Sequence, residues 1–139
     1  MTPWPLSVAF PLTLAGAVVL ILVYDIAGAA YARAHPSFRH ATLWPLQFGL
    51  YVIIGFFAML AVLDVRLVQA IGATTGFVEA TVGWAIAWRF GVARIENPTV
   101  GRILLVVATT TAFGFGLGIT GALIFNVVAT VMIRSHAHG

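Results

Sequence analysis

The sequence predicts an all-α polytopic membrane protein, folded as a four-transmembrane-helix antiparallel bundle. Hydrophobic residues make up 61% of the chain and charged residues 8%, against roughly 25% charged residues in soluble domains. A membrane-spanning helix needs about 20 apolar residues, so 139 residues accommodate four spans in a single domain, 1–139, without a separate soluble domain. The predicted spans are 11–33, 43–63, 67–90 and 101–133.

The composition also excludes several classes of function. All seven basic residues are arginines, and they are scattered rather than arranged in a stripe, so we expect no nucleic-acid partner. Cysteine is absent, which excludes disulfides, thiolate metal sites and cysteine nucleophiles. The chain has no glycine-rich phosphate loop after a strand, no GxSxG and no HExxH. Nothing therefore indicates an enzyme, a cofactor or a metal site.

The first predicted span, 11–33, carries an acid near one end. Pro11 is tolerated in a first helical turn. Asp25 shares a helical face with Gly28, Ala29 and Ala32, and small residues of this kind let another membrane helix approach closely. The following loop contains His35 and His40, which we interpret as solvated side chains rather than metal ligands.

The second predicted span, 43–63, has one face that is both polar and small. This face carries Gln47, Tyr51, Gly55 and Ala58. The connection to the third span, Asp64-Val65-Arg66, is too short for anything but a tight turn. Spans two and three should therefore be antiparallel neighbours, with Asp64 capping a helix.

The third predicted span, 67–90, has two different helical faces, which we call its front and its back. At 100° per residue, the small and polar residues fall on one face and Phe77, Trp84 and Trp88 lie opposite. An ionised acid at mid-bilayer costs roughly 2.5 kcal/mol or more, so the front should face protein or water. Gly91 is expected to end the helix. The front is formed by Gln69, Gly72, Gly76, Glu79 and Gly83.

The fourth predicted span, 101–133, is longer than a bilayer requires, so it must tilt, bend or project. Small residues line one side of it, with Gly114 and Gly118 in GxxxG spacing. Close helix packing is sufficient to explain this pattern. Across the chain, the glycines expected to serve such contacts are Gly72, Gly76, Gly83, Gly114, Gly118 and Gly121.

The arginines predict the orientation. Five lie in or near loops 34–42 and 91–99, against Arg66 and Arg134 on the other side, so these loops should be cytoplasmic and both termini external. We expect a bacterial-type inner membrane. The five could bind anionic lipid headgroups, although topology determination explains them equally well. They are Arg33, Arg39, Arg89, Arg94 and Arg102.

Glu79 and Asp25 are the candidate transport or proton sites. Counted back from the cytoplasmic helix ends, they lie about 16 Å and about 12 Å deep, so they could meet. The central parts of the spans contain no Lys, Arg or His to neutralise them, and we expect at least one carboxyl group to be protonated at pH 7. The plainer alternative is a protonated Glu79 bonded within the bundle, with Asp25 reaching the interface. Supporting polar residues are Gln47, Tyr51, Gln69 and Thr75.

Two functions are consistent with these features. The first is a component of a proton- or cation-linked transporter or channel, acting as a homo-oligomer because four helices alone enclose little volume. The alternative is a structural or accessory subunit of a larger membrane complex, with Glu79 as a buried polar lock. We place transport ahead because uncompensated acids near mid-depth require an explanation. A lipid- or quinone-handling site between spans has no diagnostic residues.

Overall fold

All the regular elements in the described part of the chain are helices. The computed structural model describes residues 4–38, 40–92 and 99–137. It contains helix α1 (Leu6–Ala34), a 3-10 turn (His40–Leu43), helix α2 (Trp44–Val62), helix α3 (65–89) and helix α4 (Val100–Ala137). Three helices are long and apolar enough to cross a membrane, namely Leu6–Ala34, Trp44–Val62 and Val100–His136. The predicted all-helical class is thereby confirmed, and the three long apolar helices indicate membrane association; the third predicted span is not among them.

The two outer helices are longer than predicted. Helix α1 begins at Leu6, directly after Pro5, because the apolar residues before Pro11 continue the helix. Pro11 therefore lies inside the helix rather than in its first turn, where its missing N–H leaves one backbone carbonyl without its helical donor. Helix α4 continues to Ala137 and has Arg134 and His136 in its last turn, where basic side chains favour a helix C-terminus.

Helix α3 is not a uniform α-helix. It consists of an α-helical segment Val65–Val78, a π-helical turn Glu79–Gly83 and a second α-helical segment Trp84–Arg89. Each π turn inserts extra backbone into the helix, which widens it locally and changes the direction in which the following side chains point. The sequence does not predict this turn, and it begins at the acid on which the functional interpretation rests.

The ends of helix α3 agree with the sequence prediction. The Asp64 side chain accepts a hydrogen bond from the backbone N–H of Arg66 at 2.8 Å, which confirms the predicted cap. Leu63 adopts a left-handed conformation with φ of 52° and reverses the chain between α2 and α3. At the other end, Gly91 has φ of 73°, as expected of a glycine that ends a helix.

Helices α2 and α3 form the centre of the molecule. Both contact α1 on one side and α4 on the other, while α1 and α4 do not touch each other within the described residues. Helix α4 comes so close that glycine backbones meet directly. A Cβ atom at Gly76 would lie 2.7 Å from the carbonyl oxygen of Thr110, which no ordinary side chain can accommodate. We call this contact the glycine seam; its facing pairs are Gly55 with Gly118, Gly72 with Gly114, Gly76 with Thr110, and Gly121 with Val52.

The outward surface is apolar. On helix α3, Phe77 and Trp88 are exposed while Gly76 and Glu79 are buried, as predicted for the back and the front. Two predicted members differ, since Gln69 of the front and Trp84 of the back are both half-buried. Exposed large apolar side chains also cover the outer sides of α1, α2 and α4. A surface of this kind is suited to contact with lipid chains rather than water.

Candidate functional site

The carboxyl group of Glu79 is held by two side chains of helix α2. Glu79 is the first residue of the π turn and is 8% exposed. The Tyr51 hydroxyl donates a hydrogen bond to Oε2, and the Gln47 side-chain amide donates one to Oε1. Gln47 and Tyr51 are four residues apart, which places them one above the other on the same helix face. Both carboxyl oxygens of Glu79 therefore accept a hydrogen bond.

Asp25 of helix α1 has a different environment. Its side chain is 6% exposed, and its Oδ2 atom is buried without a hydrogen-bond partner among the described residues. Buried polar oxygens without a donor are rare and costly. The small residues beside it on α1 (Gly28, Ala29 and Ala32) are buried too, so this is the face that α1 turns towards its neighbours.

Gly83 brings the two acids together. A Cβ atom at position 83 would overlap Oδ2 of Asp25, and it would lie 2.9 Å from Cγ of Asp25 and 3.4 Å from Cγ of Glu79. Both distances are measured from the same Cβ position, so the Cγ atoms of the two acids are no more than about 6.3 Å apart. We call Asp25 and Glu79 the carboxyl pair. The π turn begins at Glu79 and ends at Gly83. It therefore joins the first acid to the glycine against which the second acid packs.

In the described part of the chain, the basic side chains of α1 and α3 lie near the helix ends and are exposed, away from the buried carboxyl pair; they are Arg33, Arg66 and Arg89. Helix α2 contributes one titratable side chain, Tyr51, and α4 contributes none between Arg102 and Arg134. Tyr24, next to Asp25 in sequence, donates its hydroxyl hydrogen to the carbonyl oxygen of Leu43 at 2.7 Å. Within the described residues, no group of three or more metal-ligating side chains occurs.

The other predicted polar residues lie elsewhere. Thr75 is buried, but its hydroxyl donates to the carbonyl oxygen of Ile71 at 2.8 Å and not to Glu79. Gln69 is half-buried and precedes Glu79 by ten residues, which is about 15 Å along a helix. Of the predicted supporting residues, the structure brings Gln47 and Tyr51 to Glu79 and leaves Gln69 and Thr75 apart from it.

The predicted glycines and arginines have distinct locations. Five of the six glycines lie in the glycine seam, whereas Gly83 lies at the carboxyl pair. Arg33 and Arg89 are exposed in the last turns of their helices, and Arg102 is exposed near the start of α4. Arg39 and Arg94 lie outside the described residues.

An apolar groove runs between helices α1 and α2 and was not predicted. It consists of a cavity of about 800 Å³ near the start of α1 and a smaller one of about 210 Å³, and both are lined by Thr13 and Phe57. Neither cavity is lined by Asp25 or Glu79. The groove therefore does not connect the carboxyl pair with the outside.

No protein-family model, curated protein or solved structure matches this chain. The site is accordingly interpreted from its own geometry. Sequence reasoning identified both acids and, among the supporting residues, Gln47 and Tyr51, but it counted Gly83 with the packing glycines and missed its contact with Asp25. The available signal was the i,i+4 spacing of Glu79 and Gly83, together with a second-span face whose polar residues needed a partner.

Proposed function

We propose that the chain binds and releases a proton or a small cation at the carboxyl pair, as one component of an oligomeric proton- or cation-linked transporter or channel. The observation that supports this proposal is the pair itself: two buried acids from different helices, while the described basic side chains of α1 and α3 are exposed near the helix ends. Two ionised carboxylates repel each other and are costly inside a membrane. A bound proton or cation relieves both costs.

The proposal includes a four-span antiparallel bundle in which α3 also crosses the membrane. At 1.5 Å per residue, residues 65–89 extend over about 37 Å, enough for a hydrocarbon core of about 30 Å. The pairs Gly72 with Gly114 and Gly76 with Thr110 are consistent with opposite directions for α3 and α4. The arginine distribution favours cytoplasmic loops 34–42 and 91–99, external termini and a bacterial-type inner membrane.

Oligomerisation is part of the proposal, because neither of the two cavities beside α1 reaches the carboxyl pair. The glycine seam brings the backbone of α4 against α2 and α3, and the groove beside α1 is mainly apolar. An aqueous path to the carboxyl pair would therefore form between copies, or in an alternative arrangement of α1 against the other three helices.

Proton flux into proteoliposomes tests the proposal. The full-length chain is reconstituted with a pH-sensitive dye inside the vesicles, and a potassium diffusion potential drives proton entry. We expect Asp25→Asn and Glu79→Gln each to reduce flux at least tenfold, because each removes one acid of the pair while keeping its shape. Asp64→Asn is the matched control, since it removes an exposed acid and keeps a good helix cap.

Flux equal to that of the wild type in both pair variants would contradict the proposal, and so would a wild-type protein that carries no proton or sodium ion. The experiment is repeated with a sodium gradient to distinguish a proton from a small cation. Loss of flux in Asp64→Asn would show that any loss of acidic charge impairs the protein, which removes support from the pair.

A structural or accessory subunit remains the second candidate, and one observation favours it. Helix α4 has a second face of small, exposed residues that is opposite the glycine seam, and small faces are typical of contacts between membrane helices. A larger complex could cover this face. Co-purification with a larger membrane protein, together with no flux by the chain alone, would support this candidate. The face is formed by Ala108, Ala112, Gly116 and Thr120.

A further inference from the structure

The two acids of the carboxyl pair are not equivalent, and the difference lies in their hydrogen bonds. Glu79 accepts from the Tyr51 hydroxyl at one oxygen and from the Gln47 amide at the other. An ionised carboxylate only accepts hydrogen bonds, whereas a protonated one must donate one. A proton on Glu79 would oblige Tyr51 or Gln47 to change from donor to acceptor, so the present arrangement, with a donor at each oxygen, suits the ionised form.

Asp25 has the opposite arrangement. Its Oδ2 atom is buried and no described residue donates a hydrogen bond to it, so a negative charge on this oxygen would be unpaired in an apolar environment. The atom points at the backbone of Gly83, beside the Cγ atom of Glu79. A proton on Oδ2 removes the unpaired charge and leaves the hydrogen bonds of Glu79 undisturbed.

The groups that face Asp25 are few. Helix α3 contributes Glu79, α2 contributes Tyr51 through its bond to Glu79, and α1 contributes Tyr24, whose hydroxyl is bonded to Leu43. Helix α4 does not contact α1 within the described residues and has no titratable side chain between Arg102 and Arg134. Of these groups, Glu79 is therefore the one whose ionisation acts most directly on Asp25.

We infer that Asp25 binds and releases the exchangeable proton at Oδ2, and that Glu79 is a positioning residue that stays ionised; this assignment rests on the proposed function. Depth alone favours the opposite order, since Glu79 is predicted to lie deeper in the membrane than Asp25. The ionised Glu79 holds Tyr51 and Gln47 in place and keeps the proton on its neighbour.

Infrared spectroscopy with residue-specific labels tests the assignment. A protonated carboxyl group gives a carbonyl band that shifts in D2O, and ¹³C in the side-chain carboxyl group shifts it further. The chain has two aspartates, Asp25 and Asp64, and two glutamates, Glu79 and Glu96. In an Asp64→Asn background, labelled aspartate reports on Asp25 alone; in a Glu96→Gln background, labelled glutamate reports on Glu79 alone.

The full-length protein is measured at neutral pH in a detergent without ester groups, where exposed carboxyl groups are ionised. We expect the protonated-carboxyl band to shift with labelled aspartate, to stay unchanged with labelled glutamate, and to disappear when the pH is raised. A shift with labelled glutamate would overturn the assignment. The assignment would also be overturned if no protonated-carboxyl band exists, or if sodium at constant pH removes the band.

The infrared and flux experiments test separate claims, so the assignment of roles and the proposed function can be overturned independently. A band that belongs to Glu79, in a protein that still carries protons, would overturn only the assignment of roles. A band that belongs to Asp25, in a protein without flux, would leave Asp25 as a buried protonated acid and overturn the proposed function.

Discussion

The glycine seam and the carboxyl pair are two contacts of the same helix α3, and they are built in opposite ways. In the seam, α4 lies against glycines whose missing side chains let backbone meet backbone. At the carboxyl pair, α1 lies against a glycine that makes room for a carboxyl group. The seam has no room for a side-chain carbon at its glycines. The carboxyl pair instead leaves a polar atom, Oδ2 of Asp25, without a partner among the described residues.

This contrast separates the glycines that pack the helices together from the one that shapes the site. Membrane helices gain little from burying apolar surface, so they associate through close packing and polar contacts. The seam uses the first of these and accounts for how α4 is fixed to α2 and α3. The carboxyl pair uses the second, and its unsatisfied oxygen adds cost rather than stability. A contact that costs stability calls for a functional explanation.

Adding a methyl group in the seam should have the largest effect. In Gly114→Ala, the new Cβ would overlap the carbonyl oxygen of Gly72 and lie 3.1 Å from Cα of Gly76, and neither backbone can move away without separating the helices. We expect a loss of about 3 kcal/mol of unfolding free energy, the upper end for overpacking, measured by denaturant titration in mixed micelles.

The control for the seam lies two residues further along the same helix. A Cβ at Gly116 meets nothing within 4 Å, so Gly116→Ala should leave stability unchanged or raise it by up to about 1 kcal/mol through helix propensity. Equal losses in the two variants would mean that the seam does not exist as described.

A glycine-to-alanine substitution at the carboxyl pair should lower stability less than one in the seam, but it should lower proton flux more. In Gly83→Ala, the obstacle is the end of the Asp25 side chain, which can rotate, so we expect a loss below about 1 kcal/mol. The rotation moves the carboxyl group away from Glu79, and proton flux into proteoliposomes should fall about tenfold, since misplacement of a reacting group by about 1 Å is costly.

Gly49→Ala is the matched control for this variant, because a Cβ at Gly49 meets nothing within 4 Å. It should leave both stability and flux unchanged. Unaltered flux in Gly83→Ala would show that the position of Asp25 beside Gly83 is unimportant, and the contrast between the two contacts would lose its functional meaning.

Much of the fold could be predicted because a hydrocarbon environment allows few backbone structures. Long apolar runs between Pro36, Asp64 and Gly91 can form little else than helices, and the small faces of α3 and α4 indicated which sides would meet. The π turn could not be predicted, since Glu79–Gly83 contains no residue that marks one. It lies where α3 loses its contact with α4 while keeping its contact with α1, which is a property of the packed molecule.

The candidate site was only half predictable for the same reason. Helical periodicity places Glu79 on the front of α3 and Asp25 among small residues of α1, but it does not say which of the polar residues on α2 and α3 bond to them. Gln47 and Tyr51 reach Glu79, whereas Thr75 bonds to its own helix. Such choices depend on helix rotation and depth, which a single sequence does not specify.

The proximity of Asp25 to Gly83 can be measured directly by disulfide cross-linking, because the chain has no native cysteine. A Cβ at position 83 lies 2.9 Å from Cγ of Asp25, and a carbon–carbon bond adds about 1.5 Å. The two Cβ atoms of an Asp25→Cys, Gly83→Cys double variant are therefore no more than about 4.4 Å apart, within the range for a disulfide.

We expect this double variant to form an intramolecular disulfide in native membranes when a mild oxidant is added, detected by mass spectrometry of the intact protein. A second double variant, Asp25→Cys with Gly49→Cys, should stay reduced under the same conditions. If the first pair stays reduced while both thiols react with a membrane-permeant maleimide, the two acids do not form a pair, and the account of the site is wrong.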